Sequence, residues 1–315
     1  VIEDLAAMYA VAPAAVAHDL HPDYATTRWA ERSGLPRIGV QHHHAHLASC
    51  LTDNEAEGPA LGVVWDGTGF GTDETVWGGE FLLGDTSSFT RLAHLHPFRL
   101  AGGEAAVREP RRSALGLLVA AFGEEALALD DLAPIRAFGS GERALLARAL
   151  ATGTNAPLTT SAGRLFDGIA ALAGLGERSA YEGQAAMALE FAVDASVSDA
   201  YPIAVTGTSP PHVVDWRPLL AALVADVRRD VPTGTIAARF HNALVAGIVR
   251  VVETVGCGTV ALSGGCFQNR ILTERTVAAL DAAGFAVLLH RQVPCNDGGI
   301  ALGQLAIAAT RLRDA

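Results

Sequence analysis

From residue 258 to residue 312 the chain alternates apolar runs, small-residue turns and helical stretches, and this alternation restricts it to few architectures. GTVALS reads as a buried strand. GGCFQN is a turn opening a helix over 268–283, and AGFAVLLHR is the next strand. PCNDGG is a second turn, and IALGQLAIAATRL forms the terminal helix. Strands alternating with helices point to the α/β class. Residues 233–255 add an amphipathic helix in front of this unit.

The rest of the chain is less regular. Residues 1–35 read as helix, turn, helix, with HDLHPDY as the turn, and PRIGV as a short strand. The run HHHAHLASCL that follows Gln41 has helical spacing. ALGVVWD and VWGGEFLL are rich in β-formers and flank a glycine- and threonine-rich link, which predicts a hairpin with a long loop. Residues 104–152 read as several helices, and 161–193 as two helices around a short loop. GTSPPHVVDWR, residues 207–217, reads as a surface connection or a short edge strand.

Composition removes several functions. The net charge of −11 disfavours broad nucleic-acid binding, which needs many phosphate contacts. No apolar run is read as long enough for a bilayer span, and the N-terminus has acids and no basic n-region, unlike a signal peptide. The sequence begins without Met and is read as a fragment of a longer chain. Cys50, Cys257, Cys266 and Cys295 form no CxxC pair, so a zinc ribbon or disulfide framework is not expected and a reducing cytoplasm is. The chain contains no lysine, which excludes a P-loop lysine and a Schiff-base lysine. Any phosphate must be met by backbone N–H groups, arginine or a metal.

Five features carry candidate chemistry. His42 and His46 stand four apart on one helix face, while His43 and His44 point elsewhere. An HxxxH pair lacks the adjacent glutamate that serves as base in HExxH proteases, so hydrolytic zinc chemistry is not expected. WDGTGFGTD offers Asp66 at a strand end and glycine N–H groups that can wrap phosphate oxygens, or it is a flexible hairpin. ALSGGCFQN places small residues between a strand and a helix N-terminus, an arrangement that suits an anion, or it is a plain tight turn. Asp297 in PCNDGG is either ordinary turn chemistry or a distant partner for the histidine pair; two imidazoles with one or two carboxylates suit zinc or ferrous iron. Asp167 and Glu182 are acids that can accept from ribose hydroxyls, or exposed helix acids.

VQHHHAHLASC, VVWDGTGFGTDETVWGGEF, GRLFDGIAALAG with AYEGQAAMALE, LSGGCFQNRIL and PCNDGGIALGQ, in this order and with HDLHPDY near the start, resemble the C-terminal catalytic region of the HypF family. These are the carbamoyltransferases of NiFe-hydrogenase maturation, and the tRNA threonylcarbamoyl-transferases and antibiotic O-carbamoyltransferases are related branches. The resemblance implies an actin-like (ASKHA) two-lobed α/β fold with an incomplete N-terminal lobe. It places part of the first lobe in 1–100, a helical adenosine-binding part in 101–232 and the second lobe in 233–315. It implies one divalent metal, iron or zinc, on His42, His46, Asp66 and Asp297. ATP or carbamoyl-adenylate would meet Gly67, Thr68, Gly69, Ser263, Gly264, Gly265 and Asn269 through phosphate, and Asp167, Glu182 and Gly183 through adenosine. The implied reaction moves a carbamoyl group from carbamoyl-adenylate, made by an upstream YrdC-like domain, to the C-terminal cysteine of a HypE-like acceptor. His43 or His44 would take the thiol proton, or both are exposed or supporting residues. Neither a membrane nor a nucleic-acid partner is expected. Two other readings are a related transferase acting on tRNA or a small-molecule hydroxyl, and a non-catalytic ATP-binding assembly module.

Overall fold

The computed structural model describes residues 2–314. A short helix α1 (Ile2–Met8) leads to strand β1 (Val16–Asp19), helix α2 (Ala25–Arg32) and strand β2 (Arg37–Val40). β1 and β2 pair in parallel from Val16↔Arg37 to Asp19↔Val40 as a separate two-stranded sheet. The expected helix–turn–helix is therefore corrected: His18 and Asp19 end a strand. The pairing partner that makes VAHD extended lies about twenty residues away, beyond the reach of local propensity.

Helix α3 (His42–Asp53) opens at Gln41, whose side chain accepts from His44 N. Strand β3 (Ala60–Phe70) and strand β4 (Val76–Gly84) form the expected hairpin, but the glycine-rich link belongs to β3 itself. Only residues 71–75 turn the chain. Their register jumps from Trp65↔Gly79 to Gly69↔Trp77, so Asp66, Gly67 and Thr68 face Gly78 alone. This bulge bends β3 where the candidate ligand Asp66 sits.

Strands β5 (Phe89–Leu95) and β6 (Phe98–Arg99) are followed by helices α4 (Ala105–Arg108), α5 (Pro110–Phe122), α6 (Ala133–Arg136) and α7 (Ser140–Thr152). Strand β7 (Leu158–Thr159) precedes helices α8 (Ala162–Leu172) and α9 (Gln184–Phe191). Strands β8 (Ala204–Thr206) and β9 (His212–Asp215) then lead into helix α10 (Arg217–Arg228). The C-terminal unit is helix α11 (Thr233–Val255), strand β10 (Thr259–Ser263), helix α12 (Arg270–Ala282), strand β11 (Ala286–Leu288) and helix α13 (Ile300–Arg313). α11 is long and apolar enough to span a bilayer by length and composition, contrary to the sequence reading, but 67% of its apolar window is buried in this fold. Burial in the core gives the same composition as burial in lipid.

The main sheet runs β11-β10-β3-β4-β5-β9-β8, with β7 pairing both β4 and β6. β10 is parallel to β3 and β11, whereas β3, β4 and β5 are mutually antiparallel neighbours. The hairpin and the C-terminal α/β unit, expected in different lobes, thus share one sheet. α3 lies between two layers. Leu47, Cys50 and Leu51 pack with Val64, Trp77 and Ala261 of the sheet. Ala45 and Ala48 pack with Val40 and Ile307 on the other side. The crossing with α13 is close: a Cβ on Gly303 would stand 1.8 Å from the Ala45 carbonyl oxygen. Every α3 residue from His42 to Leu51 is buried.

Candidate metal centre and adjoining cavities

Helical spacing puts His42 and His46 on the same face, and the β3 bulge brings Asp66 beneath them. His42 Nε2 and His46 Nε2 lie 3.2 and 3.4 Å from Asp66 Oδ2. Asp297, in the turn before α13, places Oδ1 3.6 and 3.3 Å from the same nitrogens. One donor atom from each of the four residues lies within 4.8 Å of the other three. The turn is tied to α3 by Ser49 Oγ, which donates to the Gly299 carbonyl at 2.8 Å.

The surroundings aim the imidazoles. His42 Nδ1 is 2.9 Å from Asp19 Oδ2, at the end of β1. His46 Nδ1 is 3.4 Å from Ser263 Oγ. Asp66 uses its other oxygen, Oδ1, to accept from Gly265 N at 3.0 Å. His46 Nε2 is buried and has no hydrogen-bond partner among the described residues. Two imidazole nitrogens and two carboxylate oxygens converging on one point, with both far ring nitrogens engaged, fit a divalent ion. Burial alone would depress both histidines. The carboxylates of Asp19, Asp297 and Asp66 outweigh it and hold His42 well above its ordinary value, and the nearby carboxylates of Asp297 and Asp66 raise His46. Asp66 is largely buried, but the two histidines hold it well below the usual carboxylate range.

A cavity of about 380 Å³ begins at Asp66 and Asp297. Gly67, Thr68, Arg164, Asp167, Glu182, Gly183 and Gly265 help to line it, with Cys266, Gln268 and Asn296. A second cavity of about 470 Å³ shares Gly67, Thr68, Arg164 and Glu182 and extends toward His21, Tyr24 and Arg108. A third, of about 500 Å³, adds Phe166, Met187, Phe191 and Asn269 beside Glu182 and Gly183. The bulge between the first two cavities is held by Ser161, the N-cap of α8, whose Oγ donates to the Gly67 carbonyl at 2.7 Å. Arg164 is the cation in the first cavity's wall; its Nε is 3.0 Å from Asp167 Oδ2. Burial pushes Asp167 up to about 6, against the pull of Arg164.

The sequence-predicted residues separate into two groups. His42, His46, Asp66 and Asp297 come together, and Gly67, Thr68, Asp167, Glu182, Gly183 and Gly265 line the adjoining cavity. Asn269 lines the third cavity and caps α12 by accepting from Leu272 N. Gly69, Ser263 and Gly264, expected to meet phosphate, do not line these three cavities. Gly69 packs under the histidines, where a Cβ would come within 2.5 Å of His43 Cε1. Gly264 donates its N–H to the Cys295 carbonyl, and its φ of 98° suits glycine. Ser263 faces His46 and His290.

His43 and His44 are both buried, which corrects the exposed reading, and neither lines any of the three cavities, where a thiol proton would have to be met. His43 Nδ1 meets the Gln41 amide at 3.2 Å, and burial drives it well below its ordinary value. His44 Nε2 meets the Asp85 carbonyl at 2.7 Å, on the far face of α3. Sequence reading missed Asp19, Arg164 and His290. Asp19 lay inside HDLHPDY, so its motif was visible and its partner was not. The arginine was indistinguishable by spacing from 22 others, since all 23 basic residues are arginine.

Comparison with known proteins extends the pattern over nearly the whole chain. Residues 62–304 match the family described as carbamoyltransferase, Kae1-like domain, second subdomain, and residues 1–53 match the HypF Kae1-like domain. The carbamoyltransferase HypF of Synechocystis sp. is 41% identical over 96% of this chain and 41% of its own length. A carbamoyltransferase HypF homolog of Cupriavidus necator is 40% identical over 94% of this chain and 77% of its own length. The crystal structure of full-length HypF in its phosphate- and nucleotide-bound form superposes with a TM-score of 0.92 at 36% identity, covering 99% of this chain and 41% of that one. The chain spans about two fifths of the length of relatives such as the Synechocystis protein.

Proposed function

The chain belongs to the HypF carbamoyltransferase family, and from that premise we propose that it moves a carbamoyl group from carbamoyl-adenylate to the C-terminal cysteine thiol of a HypE-like protein, a step of hydrogenase maturation. The observation that carries the reading is the convergence of His42, His46, Asp66 and Asp297 at the mouth of a cavity walled by Arg164, Asp167 and Glu182. The cavity takes the adenylate, and an upstream YrdC-like domain of a longer chain supplies it. His42, His46, Asp66 and Asp297 would hold an iron or zinc ion, which would supply Lewis acidity toward a carbamoyl or phosphate oxygen.

The chain's own residues do the remaining work. Arg164 neutralises the phosphate as AMP leaves, and its pairing with Asp167 keeps it in place. At the bulge, Gly67 lets the backbone approach the substrate without a side chain in the way. The acceptor's thiolate, its proton lost to solvent, forms the S–C bond as the C–O bond breaks and AMP leaves with the electron pair. The internal thiols are poor candidates: burial pushes Cys50 up to about 12 and raises Cys266, which lines the cavity, well above its ordinary value.

A single-turnover reaction with preformed carbamoyl-adenylate tests the proposal. Carbamoyl should appear on a HypE C-terminal peptide and not on tRNA. Nucleotide binding without transfer to either would overturn it in favour of an assembly module.

A further inference from the structure

Beyond its contact with His46, Ser263 connects to two residues that the reaction above does not use. Ser263 Oγ lies 2.8 Å from His290 Nε2. On the other side of that ring, His290 Nδ1 is 3.9 Å from Asp53 Oδ2. Asp53 is anchored by accepting from the backbone N–H groups of Arg291, at 2.5 Å, and Gln292. The side chains of His290 and Asp53 are 5% and 2% exposed, so water does not compete with this order.

An ion on His46 Nε2 would leave the ring proton on Nδ1, which faces Ser263 Oγ. That oxygen then accepts from His46, and its single hydroxyl proton goes to His290 Nε2 at 2.8 Å. Neutral His290 carries its own proton on Nδ1, on the side of Asp53 but beyond hydrogen-bond reach of it.

We propose that Ser263 and His290 are positioning residues that receive the Nδ1 proton of His46 and so hold its Nε2 toward the ion. The inference rests on reading His42, His46, Asp66 and Asp297 as metal ligands. His42 obtains the same result directly from Asp19. His46 obtains it through two intermediaries, because the residue next to it is a hydroxyl that can face either way. Without His290, Ser263 is free to donate to His46 Nδ1, which moves the ring proton to Nε2 and blocks the ion.

The test measures Zn²⁺ affinity of the 315-residue chain by chelator competition for Ser263→Ala, His290→Phe and His290→Gln. Loss of an outer partner costs roughly 10- to 100-fold in metal affinity. Ser263→Ala and His290→Phe should fall in that range. His290→Gln, whose amide oxygen still accepts from Ser263, should stay within about threefold of wild type. ATP affinity should be unchanged in all three, which separates positioning from misfolding. Equal affinity in all variants, or equal loss in the Phe and Gln variants, overturns the relay.

The metal assignment is tested separately. A chain that takes up no Zn²⁺, or a His46→Ala variant that binds it normally, overturns the metal assignment.

Discussion

His42 and His46 are buried, and each has its far ring nitrogen occupied before any ion arrives, by Asp19 and by Ser263. Across the cavity, Glu182 is exposed and makes no hydrogen bond or ion pair among the described residues, and it sits in the loop between α8 and α9. One wall is preorganised by the packing of α3 between two layers; the other offers donors and acceptors that a ligand has to gather. The difference suits a site in which the ion stays and the nucleotide comes and goes, since ligand atoms need fixed geometry and an exchanging substrate needs a way out.

The sharpest way to break this comparison is to remove the residue that serves both walls. Asp66→Ala should lower metal affinity by about 100-fold or more, beyond the cost of an outer partner, and should also weaken nucleotide binding because Gly265 N loses its acceptor. His46→Ala should affect the metal alone. Metal content after dialysis and ATP titration of both variants separate the two effects.

Next in size is Gly303→Ala, which forces α13 away from α3 at the Ala45 carbonyl. Overpacking of this kind costs about 3 kcal/mol, read as a lowered urea midpoint. Equal stability would show that α3 is not clamped.

The opposite wall should respond to acid through His241. This buried ring donates from Nδ1 to the Ala237 carbonyl and accepts from Asn269 Nδ2 at 2.9 Å, so it supports Asn269 only when neutral. Burial pushes it down to about 4. Its folded value lies below the unfolded one, so its contribution is complete above about pH 6.5 and is lost as pH falls toward 4, in total roughly 3 kcal/mol. His241→Gln should flatten that part of the stability–pH curve, followed by denaturant titration across it.

The smallest expected effect is that of Asp19→Asn. An amide can still approach His42 Nδ1, but it loses the charge, so metal affinity should drop roughly tenfold with ATP affinity unchanged. A larger loss of ATP binding than of metal binding would mean that β1 serves the nucleotide instead.

Much of the site was legible in the sequence for local reasons. A period of 3.6 residues pairs His42 with His46 whatever surrounds them. The apolar run GTVALS and the helix over 233–255 likewise follow from their own residues. The glycine-rich link was legible as special but not as a bulge, because a bulge exists only against a partner strand. Gly69, Ser263 and Gly264 were assigned by motif to phosphate, yet each faces packing or a histidine. Motif membership names a neighbourhood; a side chain's direction within it comes from the sheet register.

The sequence by itself determined the class of fold and the helical histidine pair, since these depend on propensities and periods a few residues long. Only the tertiary structure decided that His43 and His44 turn into the interior, that Asp19 reaches His42, and that Asp53 and His290 stand behind Ser263. Those contacts join residues 23 to 238 positions apart, and strand pairing and helix packing alone bring such residues within hydrogen-bond reach.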